Sequence, residues 1–361
     1  MLLKYGMNPY QDYAEINDPA NALQLLNGKP SMINVLDALN SWQLVKEVAK
    51  TFAIPCSTSF KHVTPSGVAI AKELTDSEKQ AYLIKKSLSP LATSYARARG
   101  TDRLASFGDF IALSHPVDIE TAQLIKTEVS DGIIAPSYSP EALEMLCAKK
   151  KGAYVIFQIE NNYQPSDIES RELYGITIKQ KRNTLQITNE HLSNIVTDSK
   201  SLPNTIINDL KLGMLTLKFT QSNSICVVNN GHVIGIGSGQ QSRILCSTLA
   251  LSKANSWYQK SMLDYSFLND LDPQKRTDVD QVIELKRQEV FGDKIMLQQL
   301  PETCLLSDGF FPQKDNIELA NKYGIKYIAT PMGSIRDNEI IETANKYGIT
   351  IINTGLRLFH H

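Results

Sequence analysis

The six residues Ala-Asn-Lys-Tyr-Gly-Ile occur twice, at Ala320–Ile325 and again at Ala344–Ile349. Each copy reads as the last turn of a helix, a glycine that closes it in the left-handed conformation, and the start of a buried strand. Two successive helix–strand units of this kind lie side by side, and parallel strands need a crossover helix between them. The repeat therefore predicts an α/β layer with parallel strands.

The same alternation extends through the chain. Ala20 to Leu26 is a short apolar segment closed by the turn dipeptide Asn27-Gly28. Val35, Leu36, Leu39, Trp42, Val45, Val48, Ala49 and Phe52 recur at three- and four-residue steps, which predicts a helix with Trp42 in the core. Pro55 ends it and Cys56 to Phe60 reads as a strand. Asp76 to Ser87, Ser94 to Arg103 and Thr121 to Val129 read as helical, and Arg97, Arg99 and Arg103 as a solvated or interface face. Ile133-Ile134-Ala135 is an apolar run stopped by Pro136. Ser139-Pro140-Glu141 has the capping serine and first-turn proline of a helix start, with Gly152 as its end before the strand-like Tyr154 to Ile159. Asn229-Asn230-Gly231 between two apolar runs is a hairpin signal. The pattern lapses into polar residues near Tyr163-Gln164-Pro165. That lapse divides the chain into halves 1–165 and 166–361, with a helical insert at about 253–298 in the second.

A chain of 361 residues exceeds the size at which one core stops growing, so two domains are expected. With 42% hydrophobic and 21% charged residues and a net charge of −1, the chain has no electrostatic footprint for nucleic acid or an anionic membrane. Five cysteines, an odd number without Cys-x-x-Cys spacing, argue against a disulfide framework or zinc ribbon. Neither a signal-peptide core nor a long apolar run is present. A cytoplasmic protein acting on small molecules is expected.

Candidate chemistry begins at Ser59 to Gly67, Ser-Phe-Lys-His-Val-Thr-Pro-Ser-Gly. Lys61 and His62 stand at the mouth of a strand. A neutral imidazole accepts a proton near pH 7 and an adjacent ammonium stabilises developing negative charge, which suits acyl-type transfer. Gly108, between Phe107 and Asp109, either lets the backbone approach a ligand or forms a bulge. Asp131 at a helix-to-strand corner is either a turn former or a partner for ribose hydroxyls. Gly235, Gly237 and Gly239 at alternate positions, followed by Arg243 and a helix, read as a phosphate or carboxylate cradle without the Walker or dinucleotide fingerprint. Phe310-Phe311 follows a sharp turn and offers either stacking or packing.

Taken together, these stretches resemble the AICAR transformylase family, the formyl-transfer half of the bifunctional AICAR transformylase/IMP cyclohydrolase. The resemblance runs from Lys4-Tyr5-Gly6-Met7-Asn8-Pro9 through Asp37 to Lys46, Ser59 to Gly67, Ser94 to Gly100, Ser106 to Ser114, Val129 to Pro136, Thr220 to Ser224, Gly235 to Arg243 and Asp308 to Asn316, to Leu356 to His361. It implies a stand-alone transformylase without the cyclohydrolase domain. The implied fold is a pair of duplicated cytidine-deaminase-like α/β domains without the deaminase metal, and no zinc-deaminase signature is present.

The implied reaction moves a formyl group from the co-substrate 10-formyltetrahydrofolate to the 5-amino group of AICAR, giving formyl-AICAR and tetrahydrofolate. By the same resemblance, His62 is the proton acceptor, Lys61 stabilises the oxyanion, and His361 is a native terminal histidine near the site rather than the remnant of a tag. AICAR contacts fall on Lys4, Tyr5, His62, Gly108, Asp131, Asn223, Arg243, Phe310 and Arg357. Lys4 stands where the family has arginine. The folate side falls on Ile244, Asp315, Ser334 and Ile335, with Met332 and Ile335 replacing smaller residues. The implied assembly is a homodimer with active sites at its interface, followed by a separate IMP cyclohydrolase. Two alternatives are a non-catalytic AICAR-binding regulator and formylation from another one-carbon donor, such as formate with ATP.

Overall fold

A computed structural model of the protein describes residues 1–270 and 276–361. The N-terminal half supplies β1 (Leu23–Asn27), α1 (Met32–Phe52), the hairpin of β2 (Cys56–Lys61) and β3 (Thr64–Ile70), α2 (Asp76–Ala81) and α3 (Pro90–Gly100). It continues through β4 (Asp109–Leu113), α4 (Ile119–Thr127), β5 (Ser130–Ala135), α5 (Pro140–Cys147) and β6 (Val155–Ile159). A separate hairpin follows, β7 (Ile168–Leu173) and β8 (Ile176–Lys181). The C-terminal half supplies α6 (Asn204–Leu217), the hairpin of β9 (Ile225–Asn229) and β10 (His232–Gly237), α7 (Arg243–Ser261) and α8 (Arg276–Phe291). It ends with β11 (Cys304–Ser307), α9 (Asp315–Lys322), β12 (Tyr327–Thr330), α10 (Asp337–Tyr347) and β13 (Thr350–Asn353).

Eleven strands form one mixed sheet in the order β1-β6-β5-β4-β2-β3-β10-β9-β11-β12-β13. The pairing follows the same plan on both sides of the β3–β10 seam. An antiparallel hairpin is flanked by a strand antiparallel to its first member, β4 beside β2 and β11 beside β9. Two parallel strands are then added, β5 and β6 or β12 and β13. The seam is antiparallel, with Ala69 opposite His232 and Val68 opposite Val233. These directions bring the C-terminal ends of β2, β10, β11, β12 and β13 to the same rim as the N-terminal ends of β4, β5 and β9.

Both faces of the sheet are covered, so its strands read as apolar runs rather than as alternating ones. Phe110 and Ala112 of β4 pack in one core with Val35 and Trp42 of α1 and Leu210 and Met214 of α6. Their neighbours Ile111 and Leu113 pack on the opposite face with Tyr95 of α3, Ile125 of α4 and Leu146 of α5. In the C-terminal half that second face holds Val227, Ile328 and Ile351 against Ala250 of α7, Ile317 of α9 and Ile340 of α10. Each fully buried Leu, Ile or Phe contributes roughly 1.5–3 kcal/mol. The duplicated hexapeptide ends α9 and α10 as its composition requires, with Gly324 and Gly348 at φ 80° and 63°, and β12 and β13 pair in parallel.

Three expectations need correction. Arg97, Arg99 and Arg103 are not a solvated face: Arg97 and Arg99 are 1% and 3% exposed. Arg97 pairs with Glu78 at 3.5 Å, Arg99 with Asp109 at 2.9 Å and Glu128 at 3.0 Å, and Arg103 with Asp280 at 2.6 Å. Periodicity cannot reveal such partners, because they come from distant segments. Gly235 and Gly237 lie in β10 and serve packing rather than an anion. A Cβ on either would stand 2.2 Å from a carbonyl oxygen of α7, Ala250 O or Cys246 O. The helix of Pro140 stops at Cys147, and Lys150 and Lys151 then turn through positive φ before Gly152. The polar lapse after Tyr163 leads into β7 and β8, whose Ile168, Leu173, Ile176 and Ile178 are more than half exposed. Within 253–298 the described residues form the end of α7, short 3-10 turns at Tyr265–Asp270 and Leu297–Gln299, and α8. Residues 271–275 of that stretch lie outside the described residues.

Candidate active site at the strand ends

The β2 strand ends at Lys61, and His62-Val63 make the two-residue turn into β3, with Lys61 opposite Thr64. Both turn residues have positive φ, 55° and 58°, as a type I′ hairpin turn demands. His62 is exposed at the rim. The Lys61 ammonium donates to the Phe107 carbonyl at 2.7 Å, beside Gly108. Gly108 has φ 74°, and a Cβ there would meet nothing within 4 Å, so its conformation requires glycine and open space lies beside it.

A buried polar network supports this corner. Asp109, fully buried, accepts from Arg99 at 2.9 Å and from the Ser59 hydroxyl at 2.5 Å, and Ser66 donates to Ser59 at 2.8 Å. Asp131 at the start of β5 is exposed and paired with Lys150 at 2.7 Å. Lys4 and Tyr5 lie against the start of α1, where the Met32 amide donates to Tyr5 O at 3.1 Å. The Lys4 ammonium sits 5.6 Å from the Tyr5 ring centroid.

The second cluster lines an open cleft of about 650 Å³ at the ends of β10, β11, β12 and β13. Asn223, Arg243, Phe310 and Arg357 all line it, together with Met332 and Gly333. Arg243, first residue of α7, donates to Asp308 at 2.5 Å, to the Ser307 hydroxyl at 2.8 Å and to Asn223 Oδ1 at 2.7 Å. Gly309 makes room for it, since a Cβ there would stand 2.7 Å from Nη2. Phe311 is buried and Phe310 is 46% exposed, so of the aromatic pair the first offers a stacking face and the second packs. The Arg357 guanidinium lies 4.9 Å over the Phe359 ring.

Other expected site residues are not part of the cleft lining. Ile244 follows Arg243 and is half-buried. Ser334 and Ile335 follow Met332-Gly333 in the chain, with Ile335 fully exposed. Asp315 opens α9 and accepts the Asn316 amide at 2.8 Å. The His361 carbonyl accepts from Arg171 of β7 at 3.1 Å, and its ring stands 6.1 Å from that of Phe359.

Within one chain the two clusters share a rim but not a pocket. β2 and β10, the nearest strand of the cleft, are two strand steps apart, about 10 Å, and Lys61 and His62 do not line the Arg243 cleft. Two acidic residues had no assigned role in the sequence. Asp308 is fully buried and also accepts the Ser224 amide at 2.9 Å and the Ser222 hydroxyl at 2.6 Å. Asp37 accepts the Val63 amide at 2.6 Å, and burial pushes its carboxyl up to about 6. Both are buried, at 0% and 5% exposure, and burial with these partners distinguishes them from surface carboxylates. Among the described residues no group of three or more His, Cys, Asp or Glu could hold a metal ion, and no helix is long and apolar enough to cross a membrane.

Residues 1–253 match the family described as AICARFT/IMPCHase bienzyme. The chain is 30% identical over 366 residues to the bifunctional purine biosynthesis protein PurH of Bacillus cytotoxicus, covering 99% of this chain and 59% of that protein. It is 29% identical over 370 residues to PurH of Magnetococcus marinus, with the same two coverages. It thus spans about three-fifths of the length of these relatives. The chain belongs to the AICARFT/IMPCHase bienzyme family.

Proposed function

We propose that this protein transfers a formyl group from 10-formyltetrahydrofolate to the 5-amino group of AICAR in purine biosynthesis. The acceptor amine is conjugated with its ring and carboxamide, so it is a weak nucleophile until a base takes its proton during attack. His62 is that base. Lys61 stabilises the oxyanion of the tetrahedral intermediate and protonates the folate nitrogen as it leaves. Arg243 and Arg357 hold the nucleotide phosphate, Asn223 and Asp131 bind polar groups of the nucleotide, and the open face of Phe310 stacks on the heterocycle. The folate lies along Ile244, Asp315, Ser334 and Ile335.

The observation that carries this proposal is the common rim shared by Lys61-His62 and the Arg243 cleft. Their separation within one chain supports a homodimer in which one copy's Lys61-His62 faces its partner's cleft. The repeated strand pairing supports two deaminase-like halves, 1–165 and 166–361. The test is to mix purified protein, AICAR and 10-formyltetrahydrofolate and follow tetrahydrofolate by absorbance. Turnover that requires both substrates supports the proposal. AICAR binding without turnover replaces it with a regulatory role, and turnover with formate and ATP alone replaces the donor.

A further inference from the structure

The two halves of the sheet contain the same clamp on differently built turns. In the C-terminal half, Asp209 of α6 accepts the amides of Asn230 at 2.7 Å and Gly231 at 2.6 Å. These two residues form the β9–β10 turn with φ 50° and 70°. In the N-terminal half, Asp37 of α1 accepts the Val63 amide of the β2–β3 turn at 2.6 Å. Asp37 and Asp209 hold the same place, the sixth residue of their helices. Both are buried, at 5% and 3% exposure.

What differs is the suitability of the turn residues. Asn and Gly take positive φ readily, whereas a β-branched valine there is a genuine outlier. A fold needing only the turn is satisfied by Asn230-Gly231. The His62-Val63 turn therefore holds a strained conformation that the architecture alone does not require, and such strain persists only where surrounding structure enforces it. What it gains is the placement of His62 next to Lys61 at the rim.

We infer that Asp37 is a positioning residue for His62: its carboxylate receives the Val63 amide and holds the His62-Val63 turn left-handed, so that the imidazole is aimed at the substrate. This rests on the reading of His62 as the proton acceptor. Asp209 does the same mechanical task at a turn without chemistry, and so provides an internal control.

The experiment compares Asp37→Ala, Asp37→Asn, Asp37→Ala with Val63→Gly, and Asp209→Ala in the full chain. Asp37→Ala is expected to lower kcat about 100-fold with KM for AICAR little changed, because small misplacements of a reacting group cost that much. Adding Val63→Gly is expected to recover about tenfold or more of the lost kcat, since glycine adopts the turn without the clamp. Asp209→Ala is expected to lower Tm and leave kcat unchanged. Equal effects of Asp37→Ala and Asp209→Ala on kcat, or no recovery by Val63→Gly, overturn the inference. If Asp37→Ala does not fold, Asp37→Asn carries the same comparison. Hydrogen exchange at the Val63 amide separates this inference from the proposed reaction. Faster exchange in the Asp37 variants supports the clamp even if the wild type shows no formyl transfer. Unchanged exchange in an active enzyme overturns it.

Discussion

Arg243 reaches Asp308 at 2.5 Å with both groups buried, and the same carboxylate also accepts the Ser224 amide and the Ser222 hydroxyl. The pair fixes the guanidinium at the start of α7 while its second nitrogen bonds Asn223 at the cleft. Arg243 is therefore held before any ligand arrives, which lowers the ordering cost of binding one.

Removing the carboxylate leaves a buried cation and unpaired donors. Asp308→Ala is expected to destabilise the fold by about 3–5 kcal/mol. Urea unfolding of the variant against the wild type measures this, and a loss under about 1 kcal/mol contradicts the assigned role of the pair.

Arg243→Lys keeps the charge and loses the planar fork that bridges Asp308, Ser307 and Asn223. AICAR affinity is expected to fall about tenfold or more, the equivalent of one charge-assisted hydrogen bond. Titration calorimetry with AICAR checks it, and unaltered affinity argues that Arg243 serves only the fold.

The Asp37 carboxyl is raised from 3.8 to about 6, chiefly by burial, with the charge of Asp131 adding to the rise and His62 opposing it. A raised acid favours the folded state when protonated, so its contribution is full below about pH 4 and is lost as pH rises through about 6. The stability of wild type relative to Asp37→Asn is expected to fall by about 2 kcal/mol between about pH 4.5 and about pH 7. Urea unfolding at the two pH values reads the difference, and a constant gap contradicts the burial account.

Gly237→Ala inserts a methyl group 2.2 Å from Cys246 O. The carbonyl belongs to the helix backbone and cannot swing aside, so α7 must move off β10. A loss of about 1–3 kcal/mol is expected, seen as a lower Tm, together with weaker AICAR binding because α7 carries Arg243. Wild-type Tm in this variant contradicts the packing role assigned to the glycine.

Much of the architecture was legible in the chain because its signals are local. The Tyr-Gly-Ile repeat gave two helix ends and two parallel strands, and Asn230-Gly231 gave the β9–β10 turn. Lys61-His62 lies at the end of a strand, as the apolar run before it and the turn residues after it predict. Non-local facts were hidden. Gly235 and Gly237 look like a ligand loop until α7 is laid over them, and Arg97 and Arg99 look solvated until Glu78, Asp109 and Glu128 arrive from other segments. The β7–β8 hairpin escaped notice because its exposed apolar residues sit among charges, with no buried face to set a period.

In the proposed reaction the His62 imidazole takes the proton from the AICAR amine. The direct measurement is kcat for formyl transfer from 10-formyltetrahydrofolate in His62→Ala, alongside the AICAR dissociation constant of the same protein. A fall in kcat of about 10²- to 10⁴-fold with AICAR binding largely kept is the expected result. Full activity in His62→Ala would contradict the account.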